Sequence, residues 1–221
     1  MRPSNRHGFT LVELNLAIIF VAILVIGIAA VVMNVTKINQ RGITLKTINQ
    51  TGREVTDMMR RDIAASRASS IQYQTAAGVG RLCLGTVSYV FNTAATLRGS
   101  NPLRDQSGRP VTLVRMDDRD RQWCQRSGEA FVKTGVTAAD NAVELLQTDQ
   151  LPVAVHSMEV VSVASTRTGG LIRFTLALGT NEAGTIQDGA ATCKPPTDRE
   201  ANFDNCAVRE FSTVVRSNGE D

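Results

Sequence analysis

The strongest constraint on this chain is an apolar run near its amino terminus, residues 16–33, which contains eighteen residues and no charge. In an α-helix that rises about 1.5 Å per residue, this run covers most of a ~30 Å hydrocarbon core, and together with residues 9–14 it covers all of it. The sequence contains no second run of this kind. We therefore predict one membrane-spanning helix over residues 9–33.

The charges that flank this run predict its orientation. Arg2 and Arg6 precede it, and the positive-inside rule then places the amino terminus in the cytoplasm. A secretory signal peptide starts in a similar way, but it needs a shorter apolar core and a cleavage site of small residues behind it. The stretch 29–31 is a poor site of that type, and Glu13 fits badly in such a core. We expect a single-pass protein of the cytoplasmic membrane with its remaining residues outside.

Helical spacing of apolar residues continues beyond Met33, while the other positions become polar. The apolar residues recur at intervals of three, four or seven, which marks one face of a helix. The pattern predicts one helix from about Thr10 to about Ser69, apolar all round over 9–33 and amphipathic over 34–70. The apolar positions of the second half are Val35, Ile38, Leu45, Ile48, Val55, Met59 and Ile63.

Three glycines, Gly27, Gly42 and Gly52, fall within this predicted helix. Each weakens a helix by about 1 kcal/mol relative to alanine. Each is therefore either a tolerated glycine or a point where the helix bends.

Residues 71–221 predict a separate extracytoplasmic head made of strands. The clearest strands are 153–165 and 170–178, which a glycine-containing turn over 166–169 joins into a hairpin. Strand patterns also occur at 86–92, 111–116, 129–133 and 208–216, whereas 76–80, 98–110 and the charged run 117–126 are predicted loops. A helical turn is predicted within 136–147. Successive strands without interleaved helices predict an antiparallel sheet, and the fold class is α+β, with the long helix packed on that sheet.

The four cysteines, Cys83, Cys124, Cys193 and Cys206, all lie in the predicted head. An even number of cysteines behind a membrane-length segment indicates disulfides in an oxidising compartment. Four cysteines allow three pairings, of which the sequential one, Cys83–Cys124 and Cys193–Cys206, is the simplest. The alternative is four reduced thiols in a cytosolic protein.

Composition argues against nucleic-acid binding. The formal net charge is +3, and Arg2 and Arg6 supply two of these charges, so the rest of the chain is close to neutral. Aromatic residues make up only 5%, too few for base-stacking platforms. We predict no nucleic acid as a direct partner.

Signals of catalysis are weak. The chain has two histidines, of which His7 lies near the amino terminus and His156 lies in a strand pattern. No serine stands in a nucleophile elbow and no glycine-rich phosphate loop is present. The acidic residues within 198–204 do not match the spacing of an EF-hand. We predict no enzyme activity, no catalytic residue, no cofactor and no metal.

The segment RHGFTLVEL, residues 6–14, resembles the prepilin-type signal of type IV pilins and of type II secretion pseudopilins. The match consists of Gly8, Phe9 and the stretch Thr10-Leu11-Val12-Glu13-Leu14. The resemblance implies that a membrane aspartic prepilin peptidase removes leader residues 1–8 by cutting between Gly8 and Phe9, and that the new Phe9 amine is N-methylated. Asn15 departs from the family pattern, in which leucine is common there, and the membrane helix lacks the proline that often bends it.

Glu13 is a carboxylate inside the predicted membrane segment, where an ionisable side chain costs a few kcal/mol and marks a functional position. The cut that the resemblance implies would create a positive amine at Phe9, one helical turn away. In a bundle of subunits, Glu13 of one subunit would pair with the Phe9 amine of a neighbour and set the axial register. The alternative is an acid stabilised only by the dipole at its own helix amino terminus.

The resemblance extends more loosely over the chain and implies a pilin-like fold. The segments RRDIAAS and REFSTVVRSNG resemble minor pilins and pseudopilins of the PilW/PulJ type, and the large head favours a minor pilin over a major one. Many pilins also carry a carboxy-terminal disulfide loop like the one that Cys193 and Cys206 would close, although the bond could equally act as a staple alone.

We therefore expect a minor pilin that is polymerised helix to helix into a type IV pilus or a related filament on the cell surface. The implied partners are other pilin subunits, the prepilin peptidase and methyltransferase, the inner-membrane assembly platform, and membrane lipid before assembly. A pseudopilin of type II secretion or of competence is the nearest alternative. From another class, the chain could be a membrane-anchored ectodomain that binds a ligand. The sequence leaves open whether the filament serves twitching, adhesion, secretion or DNA uptake.

Overall fold

A single long helix, α1 (Leu11–Ala65), organises the structure. The computed structural model describes residues 10–128, 130–146, 152–166, 169–182, 184, 186–187, 192–195, 197–198 and 206–218. The prediction of one continuous helix is confirmed, because α1 runs for 55 residues through all three glycines. None of the three glycines, which were considered as possible bend points, interrupts the helix.

The helix ends at Ala65, earlier than the predicted end near Ser69. Ser66 is extended, with φ −92° and ψ 151°, and a short 3₁₀ turn (Ala68–Ser70) follows. Asn218 donates hydrogen bonds to two carbonyl oxygens at the end of the helix. Its side-chain amide donates to Ala65 O at 3.3 Å, and its backbone N–H donates to Ser66 O at 2.9 Å. The last residues of the chain thus supply hydrogen bonds that the final helical turn cannot make for itself.

Ten strands and one further short helix, α2 (Ala94–Arg98), are formed within the described residues. A second 3₁₀ turn (Ala138–Asp140) lies in the region where a helical turn was predicted. The strands are β1 (Ile71–Ala76), β2 (Val79–Leu84), β3 (Val87–Asn92), β4 (Leu113–Asp117), β5 (Arg126–Ser127), β6 (Ala130–Phe131), β7 (Val143–Glu144), β8 (Val153–Thr166), β9 (Gly169–Thr180) and β10 (Val208–Arg216).

The strands form two main antiparallel sheets rather than the one sheet that the sequence predicted. Sheet 1 has the order β1-β2-β3-β4-β7, sheet 2 has the order β10-β9-β8, and β5 pairs only with β6. Sheet 2 meets sheet 1 at an isolated bridge between Thr93 and Val155. The fold class is α+β, as predicted, and the strands of both sheets follow α1 in the sequence.

The hairpin of β1 and β2 was missed by the sequence analysis, which placed a loop over 76–80. Ala76 pairs with Val79, so the connection is a two-residue turn at Ala77 and Gly78, with φ values of 50° and 74°. Two positive φ angles match the right-handed twist of the flanking strands. The hairpin escaped prediction because glutamines and Gly80 dilute its apolar alternation. In the predicted β8–β9 hairpin, Thr166 pairs with Gly169, and the two residues between them lie outside the described residues.

The main core lies where the second half of α1 meets both sheets. The buried face of α1 starts at Thr44 and consists of Thr44, Ile48, Gly52, Val55, Met59 and Ile63. Sheet 2 contributes Ile172, Phe174, Leu176 and Leu178, and sheet 1 contributes Leu82, Leu84, Tyr89 and Phe91. Each fully buried aliphatic or aromatic side chain stabilises such a core by about 1.5–3 kcal/mol.

A second core covers the opposite face of sheet 1. The run 117–126 is largely a loop with exposed charged residues, as predicted, but it also contributes buried residues to this core. Trp123 is fully buried here, and Asp118 is only 5% exposed. The Asp118 carboxylate accepts hydrogen bonds from Ser88 Oγ at 2.7 Å and from the backbone N–H of Gln122 at 2.8 Å. The run therefore folds as a lid on the sheet, because a buried carboxylate organises its backbone. The other apolar members of this core are Cys83, Val90, Leu103, Val111, Val114, Met116, Cys124 and Val136.

A polar cluster also ties α1 to sheet 1. Asp62 accepts hydrogen bonds from Arg115 Nε at 2.7 Å and from the Tyr89 hydroxyl at 2.5 Å. The hydrogen bond from Arg115 to Asp62 raises the pKa of Arg115, whereas burial, reinforced by Asp62, raises the pKa of Tyr89. The helix is thus held by sheet 2 through apolar packing and by sheet 1 through an additional ion pair.

Gly52 provides a direct test of the packing of α1 on β10. A Cβ atom at this position would lie 2.1 Å from Phe211 Cζ, so the ring would have to move. We expect Gly52→Ala to destabilise the head by about 1–2 kcal/mol despite its better helix propensity, because overpacking a filled core is costly. Urea unfolding of the full chain in detergent measures this change.

The matched control combines Gly52→Ala with Phe211→Leu, which removes the ring. The coupling free energy between the two substitutions should be at least about 1 kcal/mol, since the residues are in contact. Additive effects would contradict the packing described for this pair.

His156 lies in β8 and hydrogen-bonds to the Thr180 carbonyl through Nε2 at 3.1 Å. Burial lowers the pKa of His156 below its usual value, and nearby Arg98 adds to this effect. The neutral imidazole is therefore favoured in the folded head. The neutral imidazole therefore contributes to the free energy of unfolding. This contribution is fully present above the pKa of about 6.5 that histidine has in the unfolded chain, and it is lost as the pH falls through the lower pKa of the folded state.

We expect the denaturant concentration at the unfolding midpoint of the head to decrease as the pH is lowered from about 7.5 to about 5. Part of this decrease arises because His156 becomes charged. His156→Gln keeps an N–H donor for Thr180 and does not titrate, so its midpoint should depend less on pH. Denaturant unfolding across this range measures both proteins. An identical pH dependence would mean that His156 does not contribute to it.

Candidate functional site

The most unusual surface of the described structure is the first half of α1, from Leu11 to Ile43, which is exposed along its whole length. Every residue in this stretch is exposed, including Leu11 at 76% and Ile38 at 74%. At about 1.5 Å per residue, the stretch forms a bare rod about 50 Å long. Val35 and Ile38, which we assigned to the face that packs on the sheet, belong to this rod instead.

The rod is apolar all round over most of its length. Among the described residues, α1 is the one helix that is long and apolar enough to cross a membrane, and no part of its apolar window is buried. Soluble monomers rarely expose continuous apolar surface beyond a few hundred Å², and larger areas mark contacts with membrane or protein. This half of α1 is therefore the candidate functional surface.

Glu13 lies in the first turn of α1 and forms a capping box with Thr10. The carboxylate oxygen Oε2 accepts hydrogen bonds from Thr10 N at 3.0 Å and from Thr10 Oγ1 at 2.9 Å. In return, Thr10 Oγ1 accepts a hydrogen bond from Glu13 N at 3.3 Å. The box satisfies two backbone donors that a helix start leaves open, and it fixes the carboxylate beside residue 10.

Thr10 was placed at the start of the helix by the sequence analysis, but its role as the N-cap was missed. The signal was present, because Thr10 and Glu13 form a Thr-x-x-Glu pattern directly before an apolar run, which is typical of a capping box. The sequence analysis gave Glu13 two alternative roles, pairing with a neighbouring subunit or stabilisation by the helix dipole. The capping box adds Thr10 as a hydrogen-bond partner within the same chain. Gly8 and Phe9, the predicted cleavage and methylation positions, lie outside the described residues.

The head contains both bonds of the sequential cysteine pairing. Cys83 in β2 is joined to Cys124 in the lid segment, with a Cα–Cα distance of 6.2 Å. Cys193 is joined to Cys206, just before β10, with a Cα–Cα distance of 5.9 Å. The first bond fastens the lid to sheet 1. The second closes a loop that leads into the strand packed on α1.

Arg81 is a second residue that the sequence analysis missed. It is only 4% exposed, and its guanidinium lies 3.5 Å from the centroid of the Phe131 ring. It also donates a hydrogen bond from an Nη atom to the Trp123 carbonyl at 3.3 Å. Burial, assisted by the charge of Arg126, lowers the pKa of Arg81 to about 10. Nothing in the sequence distinguishes this arginine from a solvated strand residue, since its aromatic neighbour comes from a distant strand.

Within the described part of the chain, no group of three or more histidine, cysteine, aspartate or glutamate side chains is arranged to hold a metal ion. A comparison of the chain with protein-family models, with curated proteins and with solved structures finds no match. What the chain does must therefore be inferred from its own residues and their geometry.

The two disulfides should differ in their contribution to stability because they close loops of different length. Cys83 and Cys124 are 41 residues apart, whereas Cys193 and Cys206 are 13 residues apart. Loop entropy assigns about 4 kcal/mol to the first bond and about 3 kcal/mol to the second.

We therefore expect Cys83→Ser/Cys124→Ser to destabilise the head more than Cys193→Ser/Cys206→Ser does. Denaturant unfolding of both double variants measures the difference. Non-reducing peptide mapping is the control, and a peptide that joins Cys83 to Cys193 or Cys206 would contradict the pairing.

Proposed function

We propose that this protein is a structural subunit, a minor pilin, of a type IV pilus or a related filament. In this proposal the leader 1–8 is removed, Phe9 is N-methylated, and the subunit polymerises through the exposed half of α1. The observation that carries it is the continuity of α1, which passes without a break from a bare apolar rod into the core of a folded head. The signal-like segment 6–14 adds a chemical reason for processing at the amino terminus.

Continuity of the helix matters for assembly. A simple anchor needs only about 20 apolar residues, and a flexible linker to the head would serve it equally well. Here the head is fixed to the rod by buried residues from Thr44 to Ile63, and Asp62 adds an ion pair to Arg115. The position of each rod therefore determines the position of its head, as a regular filament requires.

Apolar surface alone cannot align such rods. Lipid tails are as apolar as leucine, so exchanging lipid for neighbouring helices gains packing but little hydrophobic free energy. An unpaired charge is costly in this environment, so positions in which it has a partner of opposite charge are much lower in free energy than positions in which it has none. Glu13 is the only acidic residue between Arg6 and Glu54, so it is the residue best suited to set the axial register.

Two roles of Glu13 can be separated by substitution. Its capping box with Thr10 needs an acceptor, which glutamine also provides, whereas pairing with a neighbour's Phe9 amine needs the negative charge. We expect both Glu13→Gln and Glu13→Ala to be cleaved and inserted in the membrane, yet to enter filaments at least about tenfold less than the parent, or ~1.4 kcal/mol.

The measurement is an immunoblot of sheared filaments against the membrane fraction, with mass spectrometry of the mature amino terminus. Asn15→Ala is the matched control, since it removes a neighbouring polar side chain without changing the charge. Normal incorporation of Glu13→Gln would reduce the role of Glu13 to capping. A chain that is absent from filaments in its parental form, but persists in membranes, would favour an anchored ectodomain instead of a pilin.

A further inference from the structure

A cavity of about 290 Å³ lies at the end of α1 that is opposite the rod. Its walls come from Asp62 and its neighbours in the last turn of α1, from the segment 66–70, from the turn between β2 and β3, and from Arg121. Measured along α1, Asp62 lies about 30 Å beyond Ile43, the last residue of the rod. The cavity therefore belongs to the head and is remote from the apolar surface.

Three oxygen acceptors of the lining residues are already bonded within the protein. The Asp62 carboxylate accepts hydrogen bonds from Arg115, and the Asp62 carbonyl accepts one from Ser66 Oγ at 2.6 Å. The Arg67 carbonyl accepts hydrogen bonds from Ser70 N at 2.9 Å and from Ser70 Oγ at 2.8 Å. Since both serine hydroxyls also donate their protons in these bonds, neither has a proton left for a ligand.

The positive charges of the cavity, in contrast, lack partners. Arg67 and Arg121 are exposed, and neither side chain forms a hydrogen bond or an ion pair with another described residue. Asp62 supplies the one negative charge among the lining residues, and its ion pair with Arg115 neutralises that charge. The cavity therefore has an excess of two positive charges.

The backbone separates Arg121 from the acidic residues beside it in the sequence. Asp117, Arg119 and Asp120 line a different cavity, which Arg121 does not line. Arg121 has a φ of 53°, in the left-handed region, and its N–H donates a hydrogen bond to Asp118 O at 2.9 Å. A residue other than glycine is held in that region only where its surroundings determine it, and such residues cluster at binding sites.

The chemistry of the two arginines determines the class of ligand. A guanidinium group presents parallel N–H donors, which match the oxygens of a phosphate or a carboxylate. An excess of two positive charges is balanced by two negative charges. The volume lies at the lower end of the range of about 300–1,000 Å³ for ligand pockets, so the ligand is small.

We propose that Arg67 and Arg121 bind a small doubly charged oxyanion, a phosphate or a dicarboxylate, in this cavity. The site goes beyond the proposed function and does not depend on it, because the cavity is remote from the surface through which subunits would assemble. Binding joins the end of α1 to the loop that contains Arg121, since the ligand contacts one arginine from each.

The test is phosphorus-31 NMR of inorganic phosphate mixed with the full chain in an uncharged detergent. A mildly alkaline buffer keeps the phosphate mainly doubly charged. We expect saturable broadening of the phosphate signal, and an affinity at least about tenfold weaker in Arg67→Gln/Arg121→Gln, because charge-assisted hydrogen bonds are lost. Succinate should displace the phosphate, whereas singly charged acetate should need a concentration at least about tenfold higher.

The matched control is Arg61→Gln/Arg119→Gln, which removes two exposed arginines from the same two segments but outside the cavity. It should change the affinity less than about twofold, because exposed charges at a distance are screened. Near-ultraviolet circular dichroism of both double variants checks that the head is folded. The single variants Arg67→Gln and Arg121→Gln, each expected to lose at least about threefold in affinity, give the same test with a smaller change to the surface.

Four results would overturn the inference. They are the absence of saturable broadening, an unchanged affinity in the folded Arg67→Gln/Arg121→Gln variant, an equal loss in the control variant, and failure of succinate to displace phosphate. None of them affects the proposed function, which is tested by incorporation into filaments. Conversely, a chain that never enters filaments can still bind phosphate in this cavity, so the two failures are distinguishable.

Discussion

The rest of the structure depends on the packing of one face of α1, from Thr44 to Ile63, against two sheets. Burial of this face supplies the main core, because Ile48, Met59 and Ile63 are fully buried there. Asp62 adds a polar contact to Arg115 and Tyr89 on sheet 1. The two sheets also contact each other directly, at the bridge between Thr93 and Val155 and through a hydrogen bond of 2.6 Å from the Tyr73 hydroxyl to the Met158 carbonyl. The helix covers both sheets with one face and so adds to these direct contacts in uniting them into one head.

The same helix continues into a different environment. Its residues before Thr44 are all exposed, and most of them are apolar, so water is a poor solvent for this half. Since no break separates the two halves, whatever surrounds the rod determines the position of the head. Lipid and neighbouring helices satisfy the apolar surface about equally well, which leaves orientation and register to the polar groups on the rod. Glu13, near its start, is the acidic one among them.

Inside the head, a polar side chain and a disulfide stabilise a segment that lacks regular secondary structure. Asp118 organises the lid over sheet 1 by accepting backbone N–H groups, and the Cys83–Cys124 bond fastens the same segment. Arg81 lies beneath this lid against Phe131 rather than against a carboxylate. A buried cation that interacts with an aromatic ring does not need a second buried charge beside it. Burial lowers the pKa of this arginine. The lid thus stabilises a sheet face that would otherwise expose Val90, Val114 and Met116.

The sequence by itself determined the features that depend on local pattern and length. Apolar length and helical spacing predicted α1, and strong apolar alternation predicted β8, β9 and β10. The Thr-x-x-Glu pattern also contained the cap of Glu13, although it was overlooked. Only the tertiary structure decided where burial of α1 begins, because Val35 and Ile38 have the same spacing as Ile48 but no sheet beside them. It also decided the division into two sheets, the β1–β2 hairpin and the burial of Arg81 and Asp118. Each of these depends on which distant segments meet, and periodicity along one chain segment carries no information about its neighbours.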